Sequence, residues 1–371
     1  MALRRFGALF LVAVFLLQGC GKRESSDVKI GALIPLTGSS AEYGKWMKDA
    51  LEMARQEINE AGGINGKELS IIYEDEAGDP KTAASAMQKL ADVDKVPIVF
   101  GAFNSGCVLA QAPVAERTKT PILAEAQAPQ IRDAGDYVFR IQPDSRLYIK
   151  YFVPYVFNNL DIHKVAILYV NNAFGKALAE IFADSLQKLG GKIVYEGSFQ
   201  QGATDFRTQL IKIKQLKPEG VFVPAVGETG YVLKQAYELG VSAQFLGGSP
   251  TESPDVLLEA GKGAEGVIYC HHFDPDSKDS AVTRFVKNYE RLYGRVPEGY
   301  AALAYDGLKV IAKVLRECGP NRDAIKDSLY KVQNFPGVTG LTSFDDHGDV
   351  IKPIYIKTIK DGKFITIWKS Y

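Results

Sequence analysis

The stretch VKIGALIPL, residues 28–36, is a short apolar run of the kind that forms a buried β-strand. In the next segment, residues 42–61, apolar side chains recur at the spacing of one helix face: Met47, Ala50, Leu51, Ala54, Ile58 and Ala61. Glycines in GGINGK, residues 62–67, end this helix, and LSIIYED, residues 69–75, returns as a strand. The order strand, helix, strand predicts a parallel sheet with crossover helices.

The alternation of strands and helices continues along the chain. Further helices are predicted at 80–93, 106–117, 174–189, 204–216 and 228–239. Further strands are predicted at 97–103, 121–126, 164–170, 191–199, 220–226 and 243–249. Because the rhythm restarts at residue 164, we expect an α/β fold of two Rossmann-like lobes, each a parallel sheet flanked by helices.

The C-terminal part departs from this alternation. A strand at 265–273 is followed by two amphipathic helices, 279–293 and 299–317, and then by two closing strands, 351–359 and 363–369. Helices followed by a hairpin do not make a third lobe, so we expect this tail to return and complete the first two.

The first twenty residues have the features of an export signal. Arg4 and Arg5 precede an apolar run of about twelve residues, which is too short to span a bilayer as a mature helix. The run ends in LQGC, which resembles the lipobox of bacterial lipoproteins. The resemblance implies a signal peptide at 1–19, a lipidated Cys20 and a polar tether at 20–27; a plain secretory signal is the alternative. Either way, we expect the protein outside the cytoplasm, in the periplasm or at the cell surface.

Composition limits the choice of partner. The chain has 371 residues, 46% hydrophobic and 24% charged, which is typical of a globular protein long enough for two domains. Removing residues 1–19 takes away Arg4 and Arg5 and no acidic residue, so the formal charge falls from 0 to −2. A nearly neutral chain argues against nucleic acid as a partner.

Signs of metal binding and catalysis are weak. Residues 270–272 read CHH, but neighbouring side chains of a strand alternate between its faces, so we do not expect these three to hold a metal. The chain lacks GxGxxG after the first strand, GK[ST] after GAFNSG, and a GxSxG elbow. Its four histidines lie outside the predicted strand-end loops. We therefore expect neither an enzyme nor a cofactor.

The loops that follow the predicted strands hold the candidate ligand-binding residues, because open parallel sheets bind ligands at the carboxyl ends of their strands. These loops are PLTGSSAEYG (35–44), GAFNSGC (101–107), AEAQAP (124–129), VNNAFG (170–175), AVGETG (225–230) and GGSPTES (247–253). They combine small polar residues at helix N-termini, which suit an anionic group, with the aromatic residues Tyr43 and Phe174. A charged small molecule fits this inventory, although capping and turn formation also explain most of these residues one by one.

Six segments together resemble the type I periplasmic solute-binding proteins of the branched-chain amino acid ABC-uptake class, which are similar to leucine/isoleucine/valine-binding proteins. The segments are VKIGALIPLTGSSAEYG (28–44), INEAGGINGKELSIIYEDEAGDPKTA (58–83), DFRTQLIKIK (205–214), SPDVLLEAGKGAEGV (253–267), YAALAYDGL (300–308) and GVTGLTSFDDHGDV (337–350). The resemblance covers the mature chain. It implies a solute-binding role, with no catalytic residues, no cofactor and no metal.

The resemblance also implies a ligand site. Ser105, with neighbouring Asn104, matches the serine that clamps the ligand's carboxylate in the first lobe, and Ala126 matches a backbone contact. Gln127 stands where the family usually has threonine or serine, and its amide can still donate a hydrogen bond. Tyr43 matches an aromatic residue that packs on the ligand. In the second lobe, Phe174 replaces a common tyrosine and Ala225 replaces an aromatic residue.

The resemblance leaves the ligand's amino group without its usual partner. Ser249 occupies the position of the acid that receives the ammonium in the family. Because a buried ammonium without a carboxylate costs several kcal/mol, either Glu125 or Glu252 replaces that acid or the ligand has no α-amino group. Both glutamates can equally be solvated loop charges. The ligand is therefore expected to be an amino acid or a related small carboxylate or amide.

A disulfide and a hinge are the remaining implications. The family's first-lobe disulfide would join the positions of Gly78 and Asn104, so we expect no disulfide there and a buried Cys107. Chain crossings near residues 143, 274 and 345 would form the hinge, with 28–142 plus 275–344 as the N-terminal lobe and 143–274 plus 345–371 as the C-terminal lobe. Closure around the ligand would be recognised by an ABC permease with its ATPase, or, alternatively, by a signalling receptor.

Overall fold

The computed structural model describes residues 27–370. The predicted export signal, Cys20 and the tether up to residue 26 lie outside the described residues. The described strands are β1 (Val28–Ile34), β2 (Leu69–Asp75), β3 (Val99–Gly101), β4 (Ile122–Ala124), β5 (Val138–Arg140), β6 (Lys164–Val170), β7 (Lys192–Phe199), β8 (Gly220–Val223), β9 (Gln244–Gly247), β10 (Ile268–His271), β11 (Tyr355–Lys360) and β12 (Lys363–Lys369).

Helices alternate with these strands. They are α1 (Ala41–Glu60), α2 (Pro80–Gln88), α3 (Ser105–Thr118), α4 (Ser145–Asn158), α5 (Ala173–Lys188), α6 (Arg207–Leu216), α7 (Glu228–Glu238), α8 (Pro254–Ala260), α9 (Ser280–Tyr293), α10 (Gly299–Cys318) and α11 (Arg322–Leu329). Short 3₁₀ turns lie at Pro129–Asp133, Ser249–Thr251 and Gly261–Ala264. Within residues 27–370, no helix has both the length and the apolar character needed to cross a bilayer.

The first sheet has the order β2-β1-β3-β4-β5, and its pairs are parallel. Its central strands are buried on both faces, which explains their continuous apolar sequence. Helix α1 packs along α10, and its buried face contains the residues that the helical spacing predicted, such as Met47 and Leu51. We call this sheet with its helices the first lobe.

The second sheet has the order β12-β11-β10-β9-β8-β6-β7. Strands β6 to β10 pair in parallel, and the hairpin of β11 and β12 adds to β10 in antiparallel pairing. We call this sheet and its helices the second lobe. The C-terminal hairpin thus completes the second lobe while α10 packs in the first, as predicted, and the fold of two α/β lobes is confirmed.

A buried ion network lies where the chain crosses between the lobes. Arg140 ends β5 in the first lobe, and its guanidinium contacts Asp144, the N-cap of α4, at 2.7 Å. It also contacts Asp349, in the segment that returns toward β11, at 2.5 Å. These pairs join two crossings of the predicted hinge. The boundary positions themselves, after residues 142, 274 and 344, stay predictions.

Local differences from the sequence predictions have physical causes. Strand β5 and helices α4, α8 and α11 were not predicted. Helix α2 continues into one π-helical turn, Lys89–Val93, instead of running as one α-helix. The predicted strand at 351–359 begins only at Tyr355, and Pro353, which cannot donate to a sheet, lies in the part that is not paired.

Candidate functional site

A cavity of about 430 Å³ lies at the carboxyl ends of the strands of both sheets. Strands β2 to β9 each supply a lining residue just beyond the strand end: Gly78, Asn104, Gln127, Gln142, Asn172, Gln201, Val226 and Pro250. Tyr300 of α10 completes the wall. A molecule in this cavity would touch both lobes at once. The cavity is therefore the candidate ligand site, at the strand ends where the sequence predicted it.

The wall of the cavity carries no formal charge. Among residues 27–370, none of the lining side chains belongs to Asp, Glu, Lys, Arg or His. Six of them are amides: Asn104, Gln127, Gln142, Asn171, Asn172 and Gln201. The larger apolar side chains of the wall are Phe103, Phe174, Val226, Pro250 and Tyr300, and Pro80, Cys107 and Ala173 also line it. The site thus offers an aromatic wall and neutral hydrogen-bonding groups.

Two helices point their N-termini at the cavity from opposite lobes. The first turn of α3 lines it with Ser105, and the first turn of α5 lines it with Phe174. Asn172 caps α5 by accepting from the backbone N–H of Gly175 at 2.9 Å, whereas Asn104 makes no capping side-chain bond to α3. The free N–H groups and the dipole of α3 favour an anionic group at its end.

Ser105 lies where a carboxylate clamp was predicted. It is the first residue of α3, it lines the cavity, and its hydroxyl accepts a hydrogen bond from the backbone N–H of Ala128 at 3.2 Å. This contact leaves the hydroxyl proton of Ser105 free to be donated. The geometry agrees with the predicted role of a carboxylate clamp, which stays a prediction.

A buried acid organises the residue beside Ser105. Glu76 accepts hydrogen bonds from the side-chain amide of Asn104 at 2.8 Å and from its backbone N–H at 3.2 Å. Burial raises the pKa of Glu76 to about 8, although the hydrogen bonds from Asn104 lower it. Two hydrogen bonds to Glu76 thus fix the position of Asn104 in the cavity wall. A neutral Glu76 also leaves the end of α3 free of a nearby negative charge.

Tyr43 does not form the aromatic wall that was predicted for it. Its ring stacks on Phe103 with 4.8 Å between ring centroids, and Phe103, not Tyr43, lines the cavity. The Tyr43 hydroxyl donates instead to the carbonyl of Pro250 at 2.7 Å, across the two lobes. Phe103 and Tyr300 therefore supply the wall, and Tyr43 supports it from behind.

Gln127 and Ser249 meet each other across the lobes. The amide of Gln127 donates to the Ser249 hydroxyl at 2.7 Å, and the same hydroxyl bonds to the Tyr300 hydroxyl at 2.7 Å. Gln127 lines the cavity, whereas Ser249 is buried behind it. The predicted site positions are brought together here, but as a direct contact between lobes.

Of the remaining uncharged residues predicted for the site, some line the cavity and others are buried behind its wall. Phe174 lines the cavity as predicted. Ala126 and Ala225 are buried and do not belong to the wall, and Val226 takes the place expected for Ala225. Ala225 and Val226 follow β8 in a loop, and the path of this loop brings Val226 and not Ala225 to the cavity wall.

Glu252 is not available to an ammonium ligand in this structure. Its carboxylate contacts Lys357 Nζ at 2.6 Å and accepts a hydrogen bond from the Tyr269 hydroxyl at 2.7 Å. Both Glu252 and Lys357 are buried, and Glu252 is not part of the cavity wall. Lys357, which lies 105 residues further along the chain, thus balances the charge of Glu252, the acid considered as a partner for the ligand's ammonium group.

Glu125 is buried but does not line the cavity either. Neither of its carboxyl oxygens has a hydrogen-bond partner among the described residues. Burial, and then the neighbouring acids Glu298 and Asp306, raise the pKa of Glu125 well above its usual range. The raised pKa favours the protonated, uncharged form of Glu125, and its position outside the wall keeps it from a ligand in the cavity. It is also not the solvated loop charge that was the alternative.

The two adjacent histidines correct the sequence analysis. His271 ends β10, and His272 follows the strand, so the two rings do not alternate but stack with centroids 4.5 Å apart. His272 Nδ1 shares a 2.8 Å hydrogen bond with the Tyr148 hydroxyl. Burial lowers the pKa of both histidines well below the usual range. In the described part of the chain, no group of three or more His, Cys, Asp or Glu residues could hold a metal.

The residues of the cysteine and disulfide predictions also lie at this cavity. Cys107 is fully buried, as predicted, and burial together with Glu76 raises the pKa of its thiol. A Cβ added to Gly78 would lie 3.5 Å from the Asn104 side chain. These two positions, matched to the family's disulfide, are therefore neighbours in the structure and contain no cysteine.

Several lining residues were not among the predicted site residues. Phe103 and Asn171 lie in loops that the sequence analysis did select, whereas Gln142, Gln201 and Tyr300 do not. Gln142 follows β5, which was not recognised, and Gln201 follows β7, which was. Applying the strand-end rule to every strand would have found Gln201. Tyr300 lies on a helix, so no strand-end signal marks it.

Comparison with known proteins agrees with this architecture. The pattern of the periplasmic binding protein family matches residues 27–363. The Leu/Ile/Val-binding protein homolog 1 of Brucella abortus (strain 2308) is 30% identical over 356 residues, which cover 95% of this chain and 94% of that protein.

Two solved structures give the same result. The branched-chain amino acid transporter substrate binding protein LivJ of Streptococcus pneumoniae, in complex with isoleucine, is 29% identical with a TM-score of 0.87, covering 93% of this chain and 99% of its own. A solute binding protein of an ABC transporter from Rhodopseudomonas palustris BisB5, in complex with 3,4-dihydroxy benzoic acid, is 26% identical with a TM-score of 0.84, covering 93% and 97%. These proteins are solute-binding proteins, not enzymes. This chain belongs to the periplasmic binding protein family, in the type I class of the Leu/Ile/Val-binding proteins.

Proposed function

We propose that this protein captures a small carboxylic acid without a free α-amino group, or its amide, by closing its two lobes around it. The observation that carries the proposal is the uncharged cavity wall at the N-termini of α3 and α5. This cavity can satisfy a carboxylate but offers no counter-charge to an ammonium.

The carboxylate would sit at the end of α3. The Ser105 hydroxyl and the first backbone N–H groups of α3 are donors there, and helix dipoles favour negative charge at this end by about 0.3–1 kcal/mol or more when partly buried. The neutral state of Glu76 at pH 7 avoids repulsion of the carboxylate. Phe103, Phe174 and Tyr300 would cover the apolar body of the ligand.

An ammonium group would be poorly served by the same cavity. Burying it without a carboxylate costs several kcal/mol. The two acids considered for this role are Glu125, which is buried outside the wall with a raised pKa, and Glu252, which is already paired with Lys357. An amide keeps the neutral charge that the wall tolerates, so it stays within the proposed ligand class.

Related proteins are described with amino acids and with acids that have no amino group. LivJ of Streptococcus pneumoniae is described with isoleucine, and the Rhodopseudomonas palustris BisB5 protein with 3,4-dihydroxy benzoic acid, an acid without an amino group. The family therefore accommodates the proposed class on the same fold. The uncharged wall favours an acid without an amino group as the ligand of this chain.

Delivery to an ABC permease and its ATPase is the proposed consequence of capture. LivJ is described as a transporter substrate binding protein, and closure of two lobes gives a permease a shape that differs between empty and loaded protein. The LQGC motif supports a lipid anchor at Cys20, which would hold the protein at a membrane in the periplasm or on the cell surface.

A thermal-shift screen with matched compounds tests the ligand class. Each set contains an amino acid, its deaminated acid and that acid's amide: leucine, 4-methylpentanoate and 4-methylpentanamide; phenylalanine, 3-phenylpropanoate and 3-phenylpropanamide; benzoate and 3,4-dihydroxybenzoate extend the panel. A ligand at one hundred times its dissociation constant adds about 2.7 kcal/mol of stability. We expect acids, and more weakly amides, to raise the melting temperature while the amino acids do not.

Two variants show whether the cavity is responsible. Ala173 lines the cavity, so Ala173→Trp should fill it and abolish the shift, whereas Ala281→Trp on the exposed side of α9 should leave the shift unchanged. A shift with leucine but not with 4-methylpentanoate would overturn the proposal and restore an amino acid as the ligand. Equal shifts in both variants would place binding elsewhere.

A further inference from the structure

Gln142 is a buried residue of the cavity wall with a side-chain donor that the protein does not use. It follows β5 and precedes Asp144, the N-cap of α4, so it stands at a crossing between the lobes. Its side chain is 1% exposed and lines the cavity. Its amide nitrogen, Nε2, has no hydrogen-bond partner among the described residues.

The groups around Gln142 already have other partners. The hydroxyls of Tyr148 and Tyr300 lie beside the Gln142 side chain. Burial raises the pKa of both hydroxyls and Gln142 lowers it, but Nε2 has no hydrogen bond of good geometry to either. The Tyr148 hydroxyl bonds to His272, and the Tyr300 hydroxyl bonds to Ser249. The other glutamine of the inner wall, Gln127, donates to Ser249. Buried donors in folded proteins nearly always have a partner, so the free donor of Gln142 points to an acceptor that enters with a ligand.

The sheet order sets the distance between this donor and the carboxylate clamp. In the first sheet, β4 lies between β3, which leads to Ser105, and β5, which leads to Gln142. Two strand spacings separate the two strand ends, about 10 Å. A small ligand that hydrogen-bonds both to the N-terminus of α3 and to Gln142 needs a polar group at each end.

We propose that Gln142 is a specificity-determining residue that donates from Nε2 to a second hydrogen-bond acceptor on the ligand. The ligand class is thereby narrowed to carboxylates with a hydroxyl, carbonyl or amide group at the end opposite the carboxylate. This assignment rests on the proposed function, because it takes the carboxylate to lie at α3.

Two pairs of compounds isolate the second acceptor. Benzoate and 4-hydroxybenzoate differ by one hydroxyl group. The second pair, 4-methylpentanoate and 4-amino-4-oxobutanoate, have nearly the same shape but an apolar or an amide end. Calorimetry of the protein with each compound should show about tenfold or greater preference for the member with the acceptor.

Gln142→Met removes the donor and keeps the length of the side chain. We expect it to weaken binding of 4-hydroxybenzoate about tenfold or more and to change binding of benzoate less than threefold. Gln111→Met is the matched control, because the Gln111 amide is also buried without a partner but lies outside the cavity wall. Gln142→Asn, which retains a shorter donor, provides a second variant if the methionine variant does not fold.

The possible outcomes separate the two proposals. If the wild-type protein binds neither member of either pair while the amino acids bind, the proposed function fails, and this assignment fails with it. If the acids bind but the wild-type protein shows no preference for the second acceptor, or Gln142→Met weakens both members equally, only the role of Gln142 is overturned. Loss of the preference in Gln142→Met, with the preference retained in Gln111→Met, supports it.

Discussion

The amide of Gln127, in the first lobe, donates a 2.7 Å hydrogen bond to the hydroxyl of Ser249 in the second. The Ser249 hydroxyl also bonds to Tyr300 of the first lobe at 2.7 Å. Ser249 therefore links two elements of the opposite lobe with one side chain. A residue used in this way is part of the closing surface, and its contacts are formed whichever ligand lies in the cavity.

Ser249→Ala tests this role. The substitution removes both hydrogen bonds and leaves the Gln127 amide without its partner, so we expect every ligand to bind more weakly by about 1–3 kcal/mol. Because the contact belongs to closure and not to the ligand, the ratio of affinities for two different ligands should not change. Calorimetry with two acids measures this ratio, with Ser85→Ala, an exposed serine of α2, as the control. A changed ratio would mean that Ser249 touches the ligand.

Ser105→Ala tests the carboxylate clamp. Loss of the hydroxyl should weaken a bound carboxylate by about 1–3 kcal/mol and the corresponding amide by less, because bonds to charged groups are stronger. Ser280 is also the first residue of a helix, α9, but is exposed, so Ser280→Ala is the control. The test compares the dissociation constants of 3-phenylpropanoate and its amide in the wild type and in both variants. An unchanged affinity for the acid would remove Ser105 from the clamp.

The contact between Glu42 and Ser253 predicts a pH dependence of closure. The Ser253 hydroxyl donates to Glu42 across the lobes at 2.6 Å. In this structure the pKa of Glu42 is raised to about 7, chiefly by burial, while the hydrogen bond from Ser253 lowers it and the charge of Asp255 in the second lobe raises it. With the lobes apart, Glu42 regains water and titrates closer to its ordinary value of 4.5.

Closure therefore binds a proton at mildly acidic pH. We expect ligand affinity to fall as the pH rises from about 5 to about 7 and then to level off, because above this window both forms carry the charge. Glu42→Gln should flatten this part of the profile, whereas Glu60→Gln, at the exposed end of α1, should not. Dissociation constants measured between pH 5.5 and pH 8.5 test the prediction. A profile in Glu42→Gln identical to that of the wild type would contradict it.

Glu76 predicts a pH dependence of stability. The unfolded chain loses this proton near the ordinary value of 4.5, whereas the folded protein keeps it up to a pKa of about 8. The free energy of unfolding should fall as pH rises through this window and then level off, by about 1.4 kcal/mol for each unit of the pKa difference.

Glu76→Gln keeps an acceptor for Asn104 without the titrating proton. The variant should match the wild type near pH 4.5 and be the more stable protein at pH 8 to 9. Urea unfolding at pH 5, 7 and 9 provides the comparison. Equal pH slopes in the two proteins would show that Glu76 does not carry this effect.

The buried ion pair of Glu252 and Lys357 is expected to contribute to stability only while both partners are present. Lys357→Met leaves the carboxylate uncompensated and should lower the free energy of unfolding by about 3–5 kcal/mol. The double variant Glu252→Gln/Lys357→Met should recover part of that loss. Urea unfolding measures both variants, and calorimetry on the double variant checks the ligand site. A changed ratio of the affinities for acids and amino acids in the double variant would return Glu252 to the list of ligand contacts.

Much of the site could be predicted because strand ends are visible in the sequence. Ser105, Gln127 and Phe174 follow apolar strands, and the edge of a parallel sheet brings such residues together. The prediction failed where the path of a loop decided which neighbour lines the cavity, as for Ala225 and Val226. It also failed where a partner came from a distant element, as with Tyr43, which lies behind Phe103.

The roles of the charged candidates could not be predicted locally. Glu125 and Glu252 both follow strands and looked equivalent as ammonium partners. Their difference depends on what packs against them: Lys357 faces one, while the other has no cation within 4.0 Å in the described part of the chain. Burial and charge partners are properties of the folded chain, so the sequence alone left both alternatives open.

The sequence by itself determined the two α/β lobes and the sheet edges at which the cavity lies, because hydrophobic periodicity and strand order are local properties that repeat along the chain. Only the tertiary structure decided that the cavity wall has no charge, that Ser249 closes the lobes and that Gln142 keeps a free donor. These features depend on contacts between residues far apart in the chain, such as Gln127 and Ser249. Such contacts arise only when both lobes pack against each other, and they determine which polar groups remain for a ligand.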